Sequence, residues 1–334
     1  MSYVPRVLIA GASGYAGALA ARLIYRHPVF ELAAATSRSD VGRPLSDLYP
    51  HHRVPLVLEE LDIERHGEVD AAIVAYPHGA SSELVAELVG RGVRVIDLSA
   101  DYRLRDVAIY EQWYVRHPHP ELIERATYGL TEIYREQIAQ AELVACPGCF
   151  PTAAILALAP LASAGLIGDV VIDAKTGVSG AGRGLREDTT FVAVDENVWP
   201  YGVGAHRHMP EIDQELAALG ADVRAAFTPH MLPLDQGELL SCYVTPTHAL
   251  SQAELDACYA EHYGGEPFID LVARPPGVRD VRETNICAIH SYADERTGKL
   301  FVFAAIDNLW KGTASQAVAN LNLMFGLDEG TGIA

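Results

Sequence analysis

The sequence predicts an α/β chain of two domains, a doubly wound parallel sheet followed by an α+β domain with a largely antiparallel sheet. Three observations carry that prediction. Short apolar runs alternate with helical patterns through Cys149, the rhythm of a parallel sheet covered on both faces. A glycine-rich turn joins the first run to the first helix. After Leu166 the β-rich runs are separated mainly by loops, as antiparallel strands are. At 334 residues the chain also exceeds what one compact core usually holds. The expected boundaries are 1–148 and 149–311, with a C-terminal helix over about 312–334 packing back on the first domain.

Composition narrows the functional classes. Hydrophobic residues make up 49% and charged residues 21%, ordinary for a soluble globular protein. The formal charge is −19, spread along the chain, which repels nucleic acid and anionic membrane. Any anionic ligand therefore needs a local positive pocket. No apolar run reaches the length of a membrane span. Met1-Ser2-Tyr3-Val4-Pro5-Arg6 lacks a signal peptide's basic start and apolar middle. Five cysteines without framework spacing point to reduced thiols in the cytoplasm.

Taken in order, Arg6 to Ala10 is a β-rich run, Gly11-Ala12-Ser13-Gly14-Tyr15-Ala16-Gly17 is the turn, and Leu19, Leu23 and Ile24 mark a helix. Glycines let backbone approach a pyrophosphate, and the helix N-terminus faces its charge. This G-x-x-G-x-x-G in strand–turn–helix context reads as a Rossmann-type nucleotide site, with a plain βα turn as the alternative. The second strand, Glu31 to Thr36, ends in Ser37-Arg38-Ser39 rather than an acidic residue. Hydroxyls and a guanidinium suit a 2′-phosphate, favouring NADP over NAD; an ordinary polar turn is the other reading.

Val69 to Ala75 is a buried strand ending in Tyr76-Pro77-His78-Gly79, at an edge where open α/β sheets bind ligands. Helix Ser81 to Gly90 leads to strand Val93 to Asp97, and a polar cluster through Arg103 follows. Arg103 suits a phosphate or carboxylate, or a structural ion pair with Asp97 or Asp101. Asp106 to Glu136 reads as loops and short helices.

Ala141 to Ala145 is a strand, and Ala153 to Leu166 an apolar helix. Between them lies Cys146-Pro147-Gly148-Cys149-Phe150-Pro151-Thr152. Pro151 suits a first helical turn, which places Cys149 at the mouth of the helix. Unbonded N–H groups and the positive end of the dipole gather there, lowering a thiol's pKa and offering support to an oxyanion. Cys149 is thus a candidate nucleophile; simple packing is the alternative.

In the second domain, strand Val170 to Ala174 precedes the glycine-rich segment Thr176 to Gly184, whose hydroxyls and Arg183 favour a loop facing substrate. His206-Arg207-His208-Met209-Pro210-Glu211 opens a helix through Leu216. The two histidines could ligate a metal, though no third ligand cluster stands out, or lie on the surface. The favoured reading is acid–base catalysis beside the thiol, with Glu211 orienting an imidazole. Val223 to Thr228 and Glu238 to Thr245 are β-rich, and Ser251 to Gly264 is a helix with a capping box. A hairpin pairs Asn285 to Tyr292 with Lys299 to Ile306, and Thr313 to Phe325 is the last helix.

With the glycine turn, Pro147 to Thr152 and His206 to Glu211 in hand, the chain resembles the N-acetyl-γ-glutamyl-phosphate reductases, the arginine-pathway branch of the semialdehyde dehydrogenase family. Thr36 to Arg38, Asp97 to Arg103, Gly177 to Arg183 and Asp307 to Ala314 add to the match, which runs from about Val7 to Leu327. The resemblance implies a fold like the semialdehyde and glyceraldehyde-phosphate dehydrogenases and a homo-oligomer, dimer or tetramer. Gly11, Ser13, Gly14, Tyr15 and Gly17 would cradle NADP(H), with Ser37 and Arg38 at its 2′-phosphate. Pro77, His78 and Asn308 would lie beside its adenosine and nicotinamide ends. Cys149 would attack an acyl phosphate, and the thioester would be reduced where the two domains meet. His208, with His206 as understudy and Glu211 behind, would move protons; Arg103, Ser179, Arg183 and Arg207 would bind substrate. Carrier-protein-linked relatives tend to read Gly-Cys-Asn-Ala-Thr where this chain has Gly148-Cys149-Phe150-Pro151-Thr152; they and the aspartate-semialdehyde dehydrogenases are the alternatives. Cys146 stands where many members have Asn and creates a C-x-x-C spacing that suggests a redox pair, a reading opposed by the missing thioredoxin-like pattern.

Overall fold

The computed structural model describes residues 3–333. Met1 and Ser2 of the segment read as lacking a signal peptide, and Ala334 of the expected C-terminal helix, lie outside the described residues. The strands are β1 Arg6–Ala10, β2 Glu31–Thr36, β3 Ala71–Val74, β4 Arg94–Asp97, β5 Ala126–Tyr128 and β6 Leu143–Ala145. They continue with β7 Ile167–Thr176, β8 Trp199–Pro200, β9 Ala226–Met231, β10 Glu238–Pro246, β11 Ile269–Leu271, β12 Cys287–Asp294 and β13 Lys299–Ile306. The longer helices are α1 Tyr15–Tyr25, α2 Ser82–Gly90, α3 Thr131–Gln140, α4 Cys149–Ser163, α5 Met209–Ala218, α6 Gln252–Tyr263 and α7 Ser315–Met324. The chain divides into two units, 1–148 with 313–334, and 149–312.

The first unit is built on a six-stranded parallel sheet in the order β2-β1-β3-β4-β6-β5. Val7 to Ala10 and Ala71 to Val74 are fully buried, which is why these strands read as unbroken apolar runs rather than alternating ones. Strand order reverses at β1, and in open α/β sheets ligands bind at the C-terminal ends of the strands flanking such a reversal, here β1 and β3. The stretch expected to be loops and short helices contributes β5 and α3 as well. A three-residue strand is too short to show a period, so sequence pattern misses it. Within this unit α7 packs on α3 and α1. Arg135 pairs with Glu329 at 3.0 Å, and the Arg94 guanidinium lies 4.3 Å from the centre of the Phe325 ring.

The second unit is built on a seven-stranded sheet in the order β11-β12-β13-β10-β7-β9-β8. Its pairs are antiparallel except β7 with β9 and β11 with β12. Helix α4 packs on β10 and β13 and is buried from Phe150 to Ala162. It begins four residues before the expected start, so Cys149 is its first residue, and Gly165 at φ +66° follows its end. Pro160 inside it has no N–H to give the Leu156 carbonyl. The Tyr263 hydroxyl donates to that carbonyl at 2.5 Å, and Tyr259 donates to Ala157 at 2.6 Å. The orphaned acceptor is thereby satisfied from α6. The capping box of α6 forms as expected. Strand β9 lies three residues later than the expected run, and α7 is preceded by a wide turn over Trp310–Ala314.

Candidate active site

In the first unit, backbone sterics shape the turn after β1. Gly11 has φ +90°, and a Cβ there would sit 2.6 Å from the Ala75 carbonyl oxygen. A Cβ on Gly17 would sit 2.3 Å from the Gly11 carbonyl oxygen, so close helix–strand packing requires that glycine. Gly14 differs. A Cβ there would meet only the Gly11 oxygen, at an ordinary 3.8 Å. The fold does not need Gly14 bare, whereas a pyrophosphate approaching the start of α1 does. This fits a dinucleotide.

Ser13 and Ser37 are joined, the Ser37 hydroxyl donating to Ser13 Oγ at 2.9 Å. Ser37 Oγ also accepts the Asp40 N–H at 3.1 Å and the Ser39 N–H at 3.2 Å, and the residue is buried. Its hydroxyl therefore holds the turn that presents Arg38. Arg38 is exposed, lies 4.4 Å from the centre of the Tyr76 ring and has no acidic partner among the described residues. An unneutralised guanidinium at this edge suits a 2′-phosphate. Tyr15 is the first residue of α1, its ring 6.2 Å from Tyr49, whose hydroxyl donates to the Ser13 carbonyl at 2.8 Å. Pro77 and His78 are exposed beyond β3; His78 Nδ1 accepts the Ala100 N–H at 2.9 Å.

The polar cluster after β4 is a buried network. The Asp101 carboxylate accepts from Gly79 N–H at 2.7 Å, Ser82 at 2.7 Å, Tyr110 at 2.8 Å and Ser81 at 2.9 Å. Burial opposes its charge, yet these donors hold its pKa below the usual carboxylate value. Asp97 is pushed up to about 6 by burial and then by the Asp101 charge. Arg103 Nε donates to the Cys146 carbonyl at 2.6 Å and Nη2 to the Leu98 carbonyl at 2.8 Å. Those two nitrogens thus brace the turn leading to Cys149, rather than standing ready as a fork for phosphate. Cys146 is fully buried and its thiol is pushed up to about 12, with Asn320 Nδ2 donating to the sulfur at 3.4 Å. Such a thiol is not an ionised redox partner at neutral pH, and no disulfide forms among the described residues.

In the second unit, Cys149 opens α4, where an α-helix leaves its first four N–H groups without intrahelical acceptors. Phe150, the next residue, carries both histidines: its ring centre lies 5.6 Å from His206 and 5.9 Å from His208. The structure thus gathers His206 and His208 at the residue after the thiol. His206 packs among Phe150, Tyr201 and Phe227, and its Nδ1 accepts the His208 N–H at 3.2 Å. Burial, then Arg207, pushes its pKa down to about 4, so it is neutral near pH 7. His208 precedes α5, and Glu211 is buried in that helix's first turn. Arg207 and Arg183 are exposed. Asn308 Oδ1 accepts the Gly237 N–H at 2.7 Å, and its Nδ2 donates to Ser179 Oγ at 3.0 Å, tying Ser179 to the turn before β10.

Sequence reasoning missed two neighbours of the thiol. A Cβ on Gly312 would lie 2.8 Å from Cys149 Cβ, so the cysteine is seated against this glycine. Glu238, the first residue of β10, is fully buried, and the Cys149 side chain is near enough to act on its ionisation. Its signal in the sequence is an acid at an inward position of an otherwise apolar strand, in phase with Leu240, Cys242 and Val244.

Comparisons with known proteins place the chain in a family. A family model described as semialdehyde dehydrogenase, NAD binding domain, matches residues 6–141, and one described as semialdehyde dehydrogenase, dimerisation domain, matches 149–308. An N-acetyl-gamma-glutamyl-phosphate reductase of Desulforudis audaxviator is 48% identical, with 98% of this chain and 97% of the relative covered. One from Moorella thermoacetica is 46% identical, with 96% and 95% covered. Among solved structures, aspartate semialdehyde dehydrogenase II of Vibrio cholerae superposes with a TM-score of 0.76 at 17% identity, covering 97% of this chain and 99% of that one. At that identity the likeness speaks for the fold.

Proposed function

The chain belongs to the N-acetyl-γ-glutamyl-phosphate reductases of the semialdehyde dehydrogenase family, and from that premise we propose how its residues reduce N-acetyl-L-glutamyl 5-phosphate to the 5-semialdehyde. It is an NADP-dependent oxidoreductase of arginine biosynthesis. The observation that carries the mechanism is Cys149 as the first residue of a buried helix, seated against Gly312 with both histidines on the adjoining Phe150.

The Cys149 sulfur attacks the acyl carbon, the carbon–oxygen bond to phosphate breaks, and phosphate leaves with the bonding pair. NADPH, when bound, supplies the hydride that reduces the resulting thioester. The C–S bond then breaks, and sulfur retains the electron pair as aldehyde forms. The helix N-terminus stabilises negative charge on sulfur and on the carbonyl oxygen. His208 exchanges the protons, because His206, its pKa pushed down to about 4, is a weak proton acceptor and its Nδ1 already accepts a backbone N–H. Glu211, buried three residues on, orients the imidazole segment. Gly11, Gly14 and Gly17 with Ser13 and Tyr15 receive the cofactor's pyrophosphate, and Arg38 its 2′-phosphate. Pro77 and His78 border the adenosine end, and Asn308 the nicotinamide end. Arg183 and Arg207 attract the substrate's anionic groups with Ser179, while Arg103 acts through the turn it braces.

The same reading includes a homo-oligomer. Val171, Tyr243, Phe301 and Tyr292 form one cross-strand row over β7, β10, β13 and β12, and Val171 and Tyr292 are exposed. A second copy of the chain would cover that row. No helix among the described residues is long and apolar enough to cross a membrane, and reduced thiols suit the cytoplasm. A substrate panel tests the assignment. NADPH oxidation with N-acetyl-glutamyl phosphate, and little with aspartyl phosphate or a carrier-linked aminoadipyl phosphate, supports it; the reverse order contradicts it.

A further inference from the structure

Glu238 lies on the inward side of β10, paired across the sheet with Thr176 of β7 and Ile306 of β13. Its side chain is fully buried on the edge of the layer against which α4 packs. Neither carboxyl oxygen has a formed hydrogen bond among the described residues. A buried, unsatisfied carboxyl is costly and calls for a reason. The side chain of Cys149 is near enough to favour its charged form, and so lies within reach of a bond not yet formed.

We propose that Glu238, in its acid form, donates a hydrogen bond to the Cys149 sulfur and stabilises it as a thiolate, both when it attacks the acyl phosphate and when the thiohemiacetal expels it. The proposal rests on the thioester reading above and names a catalytic residue that reading does not use.

The proposed bond needs one proton between the two groups, and the surroundings decide which would hold it. Burial, with the Asp307 carboxylate beyond β13, pushes Glu238 up to about 8, opposed by Cys149. Tyr201, which follows β8 and feels both Cys149 and Glu238, is pushed well above its usual value by burial and stays neutral. Thr176 on β7 does not titrate. The Asp307 carboxylate is itself held by N–H groups of Glu283, Leu309 and Trp310 and by the Gln236 amide. Thus nothing that acts on Glu238, apart from the thiol, favours its ionised form, whereas the sulfur sits at a helix N-terminus that favours negative charge. The proton therefore rests on the carboxyl near pH 7.

The step balances. Sulfur attacks as thiolate, forming the S–C bond while the C–O bond to phosphate breaks; the departing phosphate takes its proton from His208. NADPH is oxidised and the thioester carbon reduced. The C–S bond then breaks, its electron pair returns to sulfur, and the Glu238 O–H donates to the restored thiolate. Glu238 keeps its proton throughout.

Iodoacetamide alkylation of Cys149 across pH, in the full chain without substrate, tests this. Glu238→Leu raises the apparent thiol pKa by about one unit, slowing alkylation near pH 7 by about tenfold. Glu238→Gln, which keeps a donor, recovers most of that reactivity. Turnover of the wild type declines as pH rises through about 8, where a Glu238 carboxylate would face the thiolate, and the Gln variant lacks that decline. An unchanged alkylation profile in a folded Leu variant overturns the proposal, as does an identical alkaline decline in the Gln variant. If the Leu variant does not fold, the comparison of Gln variant with wild type decides alone. Turnover by Cys149→Ser would instead overturn the thioester reading itself.

Discussion

The turns after β1 and after β6 are the same device, a strand stopping at the mouth of a helix, put to different uses. After β1 the turn is glycine, and its working parts are main-chain N–H groups with no side chain in the way. After β6 the turn ends in Cys149, and in the mechanism we propose its working part is one sulfur, with Gly312 and Glu238 brought near it from other segments. A binding turn is therefore specified locally by sterics. A reactive turn is specified by what the rest of its unit places beside it.

The contrast can be broken by substitution, and the largest effect belongs to the reactive turn. Cys149→Ser lowers turnover by about 10⁴-fold or more, while NADPH binding, followed by its fluorescence, changes little. Gly312→Ala puts a methyl 2.8 Å from Cys149 Cβ and displaces the sulfur. We expect about a hundredfold loss of kcat with NADPH affinity retained, since small misplacements of a nucleophile are costly. Loss of NADPH affinity instead would place Gly312 in the cofactor site.

The glycine turn sharpens the contrast within itself. Gly17→Ala, with its Cβ 2.3 Å from a carbonyl oxygen, destabilises the fold by about 1–3 kcal/mol in chemical denaturation. Gly14→Ala leaves the melting temperature nearly unchanged and raises the KM for NADPH by about tenfold. Equal loss of stability in both would remove the distinction between a glycine for folding and a glycine for ligand. Arg38→Ala raises the KM for NADPH about tenfold and leaves that for NADH nearly unchanged; equal changes would exclude Arg38 from the 2′-phosphate.

The smallest effect is on acid stability. His206 has a folded pKa near 4 against an ordinary value of 6.5, so below 6.5 the unfolded chain binds the extra proton. Its contribution to stability is complete above 6.5 and is lost as pH falls toward 4. His206→Asn should therefore flatten the melting temperature over that window, and an unchanged slope would show that another group sets it.

Much of this was legible in the sequence because its causes are local. Gly11 and Gly17 follow from the close approach of main chain, and Cys149 from a proline-compatible helix start. The parallel sheet through β1 to β4 followed from apolar runs broken by helices; the order of its strands did not. What was not legible comes from distant partners or from brevity. Leu156 and Tyr263 are 107 residues apart, so nothing near Pro160 announces the hydroxyl that repairs its helix. Gly312 looks like any turn glycine until Cys149 is seen against it. Glu238 read as part of a β run; its phase with Leu240, Cys242 and Val244 marks it as inward, but not that Cys149 would lie near it. Arg103 read as a ligand for anions or as half of an ion pair with Asp97 or Asp101; its bonds to the Cys146 and Leu98 carbonyls leave no trace in side-chain pattern. Strand β5 was too short to register.

The account stands on a covalent bond to one sulfur. Mass spectrometry of the protein mixed with N-acetyl-glutamyl phosphate, without NADPH, tests it most directly. We predict an N-acetylglutamyl adduct on Cys149 and on none of the other four cysteines, discharged when NADPH is added. Unmodified protein, or an adduct elsewhere that turns over, would contradict it.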